Sequence, residues 1–232
     1  MPITLAHRGN GDGASIRENR VGAFRAALER GWGVEVDIRR SSDGRFYLSH
    51  DPLPVTSVTD DRRAESLFAD IRRHRGAVVA INIKECGYEE ALVDFLTEHR
   101  VLEQGFLFDM ELVEQTPGRT ASLFRSLCPG IQIAARVSDR DEPIERALAV
   151  AEANVIWLDE FEGPWATAGD VGRLRASGRS VYAVSPELHG FSLEVARARW
   201  VDFFDWGVDG ICTDYPAALD AFRAAADREA VA

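Results

Sequence analysis

Lysine is almost missing. Lys84 stands alone among 27 lysine and arginine residues; the rest are arginine. Cysteine is sparse as well: Cys86, Cys128 and Cys212 are odd in number, far apart and outside any Cys-x-x-Cys spacing. That pattern excludes a disulfide framework and a cysteine zinc site, and it leaves reduced, buried thiols. No apolar run approaches the roughly 20 residues that a membrane helix needs. The opening Met-Pro-Ile-Thr-Leu-Ala-His lacks the basic and apolar regions of a secretion signal, so a cytoplasmic location is expected. No Gly-x-Gly-x-x-Gly and no Gly-x-x-x-x-Gly-Lys-Ser/Thr follows any candidate strand, which removes dinucleotide and P-loop crevices. Positive charge is in deficit too, with 38 acidic against 27 basic side chains, a net charge of −11 and a pI near 5.0. A general nucleic-acid or anionic-membrane binder is thereby excluded, and an anionic substrate would need local cations.

What is present is a folded chain of 232 residues, 46% hydrophobic and 28% charged. Short β-branched runs alternate with helical patterns. Strands are expected at 3–7, 33–39, 77–84, 105–109, 131–135, 154–159, 179–184 and 208–213, with a short extension at 45–50 after the Ser-Asp-Gly turn. Helices are expected at 21–30, 64–74, 88–99, 121–127, 144–152, 171–176, 193–204 and 217–228. Eight strand–helix units in one chain of this length predict an α/β fold, a TIM (β/α)8 barrel forming a single domain over 1–232.

Barrel enzymes carry their chemistry at the carboxyl ends of the strands, and here those ends are polar. They read His7-Arg8-Gly9, Glu35 with Asp37, His50-Asp51, Asn82-Ile-Lys84, Asp109, Asp159-Glu160, Ser185-Pro-Glu187 and Thr213-Asp214. Glu35 and Asp37 are two residues apart, so on a strand they share a face, while Val34, Val36 and Ile38 take the other. Two adjacent lumenal carboxylates repel unless a cation sits between them, and a hard divalent ion such as Mg2+ or Ca2+ suits oxygen ligands. The alternative is a surface strand with two solvated acids. Asn82 and Lys84 repeat the geometry: the amide oxygen could join the metal, and the ammonium could hold an anionic oxygen. His7 and His50 can exchange protons at neutral pH. His74 and His99 suit helix-end positions, and His189 reads as a rim substrate contact or a loop histidine. Trp157, Phe161, Trp165 and Phe191 could line an alcohol pocket or pack the rim.

Together, Ala6-His7-Arg8-Gly9, Glu18-Asn19, Ala23-Phe24, Ala27, Glu35-Val-Asp37, Asp43-Gly44 and His50-Asp51 resemble the glycerophosphodiester phosphodiesterases. Asn82-Ile-Lys84 lies where that family reads Glu-Ile-Lys, and Gly207-Val-Asp-Gly-Ile-Cys-Thr-Asp214 looks like its last strand. The resemblance implies a barrel with one divalent ion, His7 and His50 as the acid–base pair, and Glu35 and Asp37 as metal ligands. It also implies phosphate contacts from Arg8 and Lys84, with Glu18 orienting the site or binding the metal. From their place at a strand end, and not from the resemblance, Glu187 and His189 are expected as further substrate contacts.

The sequence departs from the family in three places. Asn82 replaces a metal carboxylate, which would weaken the ion or shift ligation to Asp109 or Glu187. The usual Pro-Glu-Asn-Thr appears as Arg17-Glu18-Asn19-Arg20. No sizeable subdomain fits between His50-Asp51 and the strand at 77–84. The expected activity is hydrolysis of a small phosphodiester. The alternatives are a degenerate barrel that binds an anion without turnover and a phospholipase-like lyase that forms a cyclic phosphate.

Overall fold

The alternation along one strand sets the architecture. In Gly33–Arg40 (β2), Val34, Val36 and Ile38 are fully buried. They share one apolar cluster with Phe24 and Leu28 of Val21–Glu29 (α1) and Phe68 of Ala64–Ile71 (α2). Glu35 and Asp37 take the opposite, lumenal face. The computed structural model describes residues 1–231 apart from 115 and 117, with side chains described through residue 225.

The remaining elements repeat the unit. Ile3–Ala6 (β1) precedes α1, and Phe46–Leu48 (β3) follows β2. After α2 come Val79–Ile83 (β4), Glu89–Glu98 (α3), Gly105–Phe108 (β5) and Arg119–Leu127 (α4). Gln132–Val137 (β6), Ile144–Ala149 (α5), Val155–Leu158 (β7), Ala168–Ala176 (α6), Ser180–Val184 (β8), Leu193–Asp205 (α7), Gly210–Thr213 (β9) and Pro216–Val231 (α8) complete the chain.

Parallel pairing runs β1-β9-β8-β7-β6-β5-β4-β2, and the β1–β2 pair closes the ring into an eight-stranded TIM barrel. The short strand β3 is the antiparallel extension, pairing Leu48 with Ile38. Between Leu48 and α2 there are only two single 3-10 turns, so the barrel is one domain without an inserted lobe.

Side chains fill the lower lumen, among them Leu5, Phe106, Phe108, Trp157, Tyr182 and Cys212. Trp157 stacks on Phe108 with ring centroids 4.2 Å apart. It is a core residue and does not line an open pocket. Gly210 is needed at this level, because a Cβ there would meet the Tyr182 ring at 2.4 Å. Helix α8 closes the barrel through Asp220, which accepts hydrogen bonds from Thr4 Oγ1 (2.9 Å) and Trp32 Nε1 (2.6 Å).

Candidate active site

The first turn after β1 begins the site. Arg8 and Gly9 both have positive φ, 49° and 76°. A Cβ on Gly9 would lie 2.9 Å from both the Phe24 ring and its backbone nitrogen, so only glycine lets the turn seat on α1. Asn19, also at positive φ (53°), locks the following loop to β2. Its Nδ2 donates to Asp37 Oδ2 (2.8 Å), its Oδ1 accepts from the Asp37 backbone N–H, and its own N–H donates to the Arg8 carbonyl. Such backbone strain persists only where the surroundings enforce it, and here it clusters at the barrel mouth.

His7 is fixed by Asp214, at the end of β9. Its Nδ1 lies 2.8 Å from Asp214 Oδ1, and a carboxylate can only accept, so Nδ1 carries the proton. The same Asp214 oxygen accepts from Asn10 Nδ2 (2.8 Å). The exchangeable position of His7 is therefore Nε2, which lies 3.9 Å from Glu35 Oε2. Burial opposes the imidazolium, but the Asp214 hydrogen bond and the Glu35 charge raise the His7 pKa overall.

The two β2 carboxylates have different fates. Asp37 is fully buried and pairs with Lys84 Nζ (2.9 Å) and Arg8 Nε (3.0 Å). Burial would raise its pKa, yet these cations and Asn19 hold it below the usual carboxylate range. Glu35 is paired with no arginine or lysine side chain among the described residues. Burial and the Asp37 charge push its pKa up to about 7, and among the described residues its Oε2 accepts only the Arg8 backbone N–H (3.1 Å). Arg8 also reaches Glu18 through Nη1 (3.3 Å).

Asn82 is the direct cross-strand neighbour of Asp37. Its Nδ2 donates to Asp109 Oδ2 (2.9 Å), and its buried Oδ1 has no hydrogen-bond partner among the described residues. Asp109 gives its other oxygen to Arg136 Nη1. Arg136, itself buried in the lumen, also binds Glu142 Oε2 (3.0 Å) and Asp159 Oδ2 (3.1 Å). Asp159 in turn bonds His189 Nε2, and the His189 ring stacks on Phe161 at 4.2 Å.

Of the sequence-predicted residues, His7, Arg8, Glu18, Glu35, Asp37, Asn82 and Lys84 gather at one side of the mouth, and Asp109 and His189 belong to the Arg136 network. Glu187 turns inward: Thr213 Oγ1, Ser185 Oγ and the Asp214 backbone N–H all donate to its carboxylate. His50 follows Ser49, whose N–H bonds the Asp37 carbonyl; its imidazole is about half exposed (47%) and binds Asp51 at 2.9 Å. Sequence reasoning assigned no role to Asn19, Asp214 or Arg136. Arg136 carried a signal, since it shares strand parity with the lumenal Ala134 and a lumenal arginine requires buried acids.

Among the described residues, no three histidine, cysteine or acidic side chains form a ready metal cage. The oxygens chemically suited to a hard ion are those of Glu35, Asp37 and Asn82, of which Asp37 is already engaged by Lys84, Arg8 and Asn19. Among the described residues Glu35 is paired with no arginine or lysine side chain, and Asn82 Oδ1 is buried without a partner.

The sequence model of the Glycerophosphoryl diester phosphodiesterase family matches residues 7–125, just over half of the chain. A comparison with curated protein sequences gives no match. The fold is shared with solved structures. A glycerophosphodiester phosphodiesterase from Agrobacterium tumefaciens superposes with a TM-score of 0.72 at 18% identity, covering 97% of this chain and 100% of that one. An Oleispira antarctica phosphodiesterase, solved with its product sn-glycerol-3-phosphate, gives 0.72 at 18% identity over 96% of each chain. A glycerophosphodiester phosphodiesterase from Thermotoga maritima gives 0.59 at 21% identity, covering 93% of this chain and 96% of that one.

Proposed function

The chain belongs to the glycerophosphoryl diester phosphodiesterase family of phosphoric diester hydrolases, and from that premise we propose that it hydrolyses a small glycerophosphodiester to an alcohol and a phosphomonoester. The observation that carries this reading is the gathering of His7, Arg8, Glu35, Asp37 and Lys84 at the carboxyl ends of β1, β2 and β4.

His7 and His50 divide two proton transfers. One takes the proton of the attacking water as its oxygen bonds to phosphorus. The other protonates the alcohol oxygen as the P–O bond breaks. For His7 the proton moves at Nε2, because Nδ1–H stays on Asp214. Arg8 and Lys84, both already at the mouth, orient the non-bridging phosphoryl oxygens. His189, on the Arg136 side, faces the alcohol portion.

Family members generally use a divalent ion. In this chain Glu35, Asp37 and Asn82 would hold it, as Mg2+ or Ca2+, where it would offset the charge that builds on the phosphoryl oxygens. Asp109 acts on Asn82: with Nδ2 held by Asp109, the amide presents Oδ1 as its free end. The free thiols suit a reducing compartment, and we place the reaction in the cytoplasm.

Two other readings stand beside it, the first motivated by Asn82, where a neutral ligand replaces a carboxylate, and the second differing from hydrolysis only in its product. They are an anion-binding barrel without turnover and a lyase releasing a cyclic phosphate. Phosphorus NMR of glycerophosphocholine with the protein and Mg2+ or Ca2+ separates all three. The expected result is a glycerol phosphate monoester resonance without a persistent cyclic species. A cyclic product that accumulates, or a diester bound but unchanged, would overturn hydrolysis.

A further inference from the structure

The amino-terminal end of the barrel, opposite the site described above, holds a basic cavity. Its volume is about 670 Å3, and it lies between the exits of α2 and α3, lined by Arg72, Arg75, Thr97, Arg100, Glu103 and Gln104. The run Arg72-Arg73-His74-Arg75 is the densest basic stretch of a chain whose net charge is −11.

Arginines near helix exits ordinarily bind the free carbonyls there, and elsewhere in this barrel they do. Arg125 donates to the Pro129 and Glu152 carbonyls, and Arg179 to those of Ala153, Leu148 and Val150. At the α2 exit Gln104 has taken that task. Its Nε2 donates to the carbonyls of Ile71 (3.3 Å), His74 (2.9 Å) and Ala77 (3.3 Å).

The guanidinium groups of Arg72, Arg75 and Arg100 are left with no hydrogen bond or ion pair among the described residues. Arg100 moreover sits at φ 56° as α3 ends, a position that favours glycine, so an arginine there carries a conformational cost. Arg73, next in the run, is paired with Asp70 and does not contribute a free charge. Glu103 is the one carboxylate lining the cavity.

We propose that this cavity binds an oligophosphate, a small compound with two or more linked phosphate groups. Each guanidinium presents a planar fork of donors matched to phosphate oxygens. All three side chains are solvent-exposed, so water screens their mutual repulsion, and what a multiply charged anion gains here is three unengaged forks lining one space. The space is too large for one phosphate, and sites for small organic ligands commonly run about 300–1,000 Å3. The overall negative charge keeps anions from collecting elsewhere, so binding here is local. The inference is independent of the chemistry at the carboxyl end.

The test is calorimetric titration of the full-length protein with inorganic pyrophosphate, in EDTA to remove metal-mediated binding at the acidic site; whatever Arg8 and Lys84 bind there is common to the parent and the variant below. One-to-one binding is expected, at least tenfold tighter than orthophosphate. The triple variant Arg72→Gln/Arg75→Gln/Arg100→Gln should lose that affinity by tenfold or more while keeping its melting temperature and diester turnover. Arg197→Gln, an exposed arginine elsewhere, should bind as the parent does. The proposal is overturned by any of three results: pyrophosphate binding that the triple variant retains, an equal loss in Arg197→Gln, or capture by phosphatidylserine vesicles with no pyrophosphate binding.

Discussion

The tautomer of one imidazole decides what His7 can do. Asp214 accepts from Nδ1 and is itself anchored by Asn10, so Nε2 is the free position, directed at Glu35. Asp214→Asn keeps the shape but offers an amide that can reverse the tautomer. A fall in kcat of about 10²–10⁴ is expected, with KM nearly unchanged, because the loss lies in proton transfer and not in binding. Steady-state kinetics checks it, and a fall in affinity alone would show that Asp214 serves only to shape the pocket. Asn82 depends on its neighbour in the same way. Asp109→Ala removes the acceptor that orients the amide, and divalent-ion affinity should drop by about 10- to 100-fold in a direct titration. Unchanged affinity would mean that Asn82 needs no such orientation.

Elements bring these residues together, and they differ in how readable they are. The strand–helix alternation and the lumenal parity of Glu35 and Asp37 follow from side-chain periods of two and about 3.6, which the sequence displays directly. The β2–β4 register that sets Asp37 beside Asn82 is consistent with the same parity, which by itself leaves slips of two residues open. The Arg136 network was not readable. Its partners Asp109, Glu142 and Asp159 come from three separate segments, and the expected strand 131–135 stopped one residue short of Arg136. Both oxygens of Asp109 are engaged in this network, by Asn82 and by Arg136. The inward seat of Glu187 was unreadable for the same reason, since its partners Thr213 and Asp214 come from another strand and the turn after it.

Two substitutions test the elements. Arg136→Met leaves three carboxylates buried without their cation and should cost about 3–5 kcal/mol in chemical denaturation. Gly9→Ala forces a Cβ against Phe24 at positive φ and should cost about 1–3 kcal/mol. Stability equal to the parent in either would contradict the packing described.

Across the whole molecule, the acidic surplus is partly internal. Glu35 and Glu111 are both pushed up to about 7 by burial, and the His7 pKa is raised as well. Each binds a proton more tightly folded than unfolded, so between about pH 5 and 8 the folded state holds more protons and stability falls as pH rises. Asp214 and Asp37 are shifted down, so their contributions are lost only in acid, below that window. Scanning calorimetry in EDTA should show a melting temperature that declines from pH 5 to 8. Glu35→Gln should flatten the decline, and added Mg2+ or Ca2+ should reduce it. A melting temperature that rises over this range would contradict the burial of Glu35 without an arginine or lysine partner.

The most direct measurement is turnover of glycerophosphocholine by three preparations: the parent protein with Mg2+ or Ca2+, the same protein in EDTA, and His7→Ala with the ion. The first should release glycerol phosphate, and the other two should lose nearly all of that rate. Turnover indifferent to both EDTA and His7→Ala would place the chemistry elsewhere in the barrel and contradict the active site proposed for this chain.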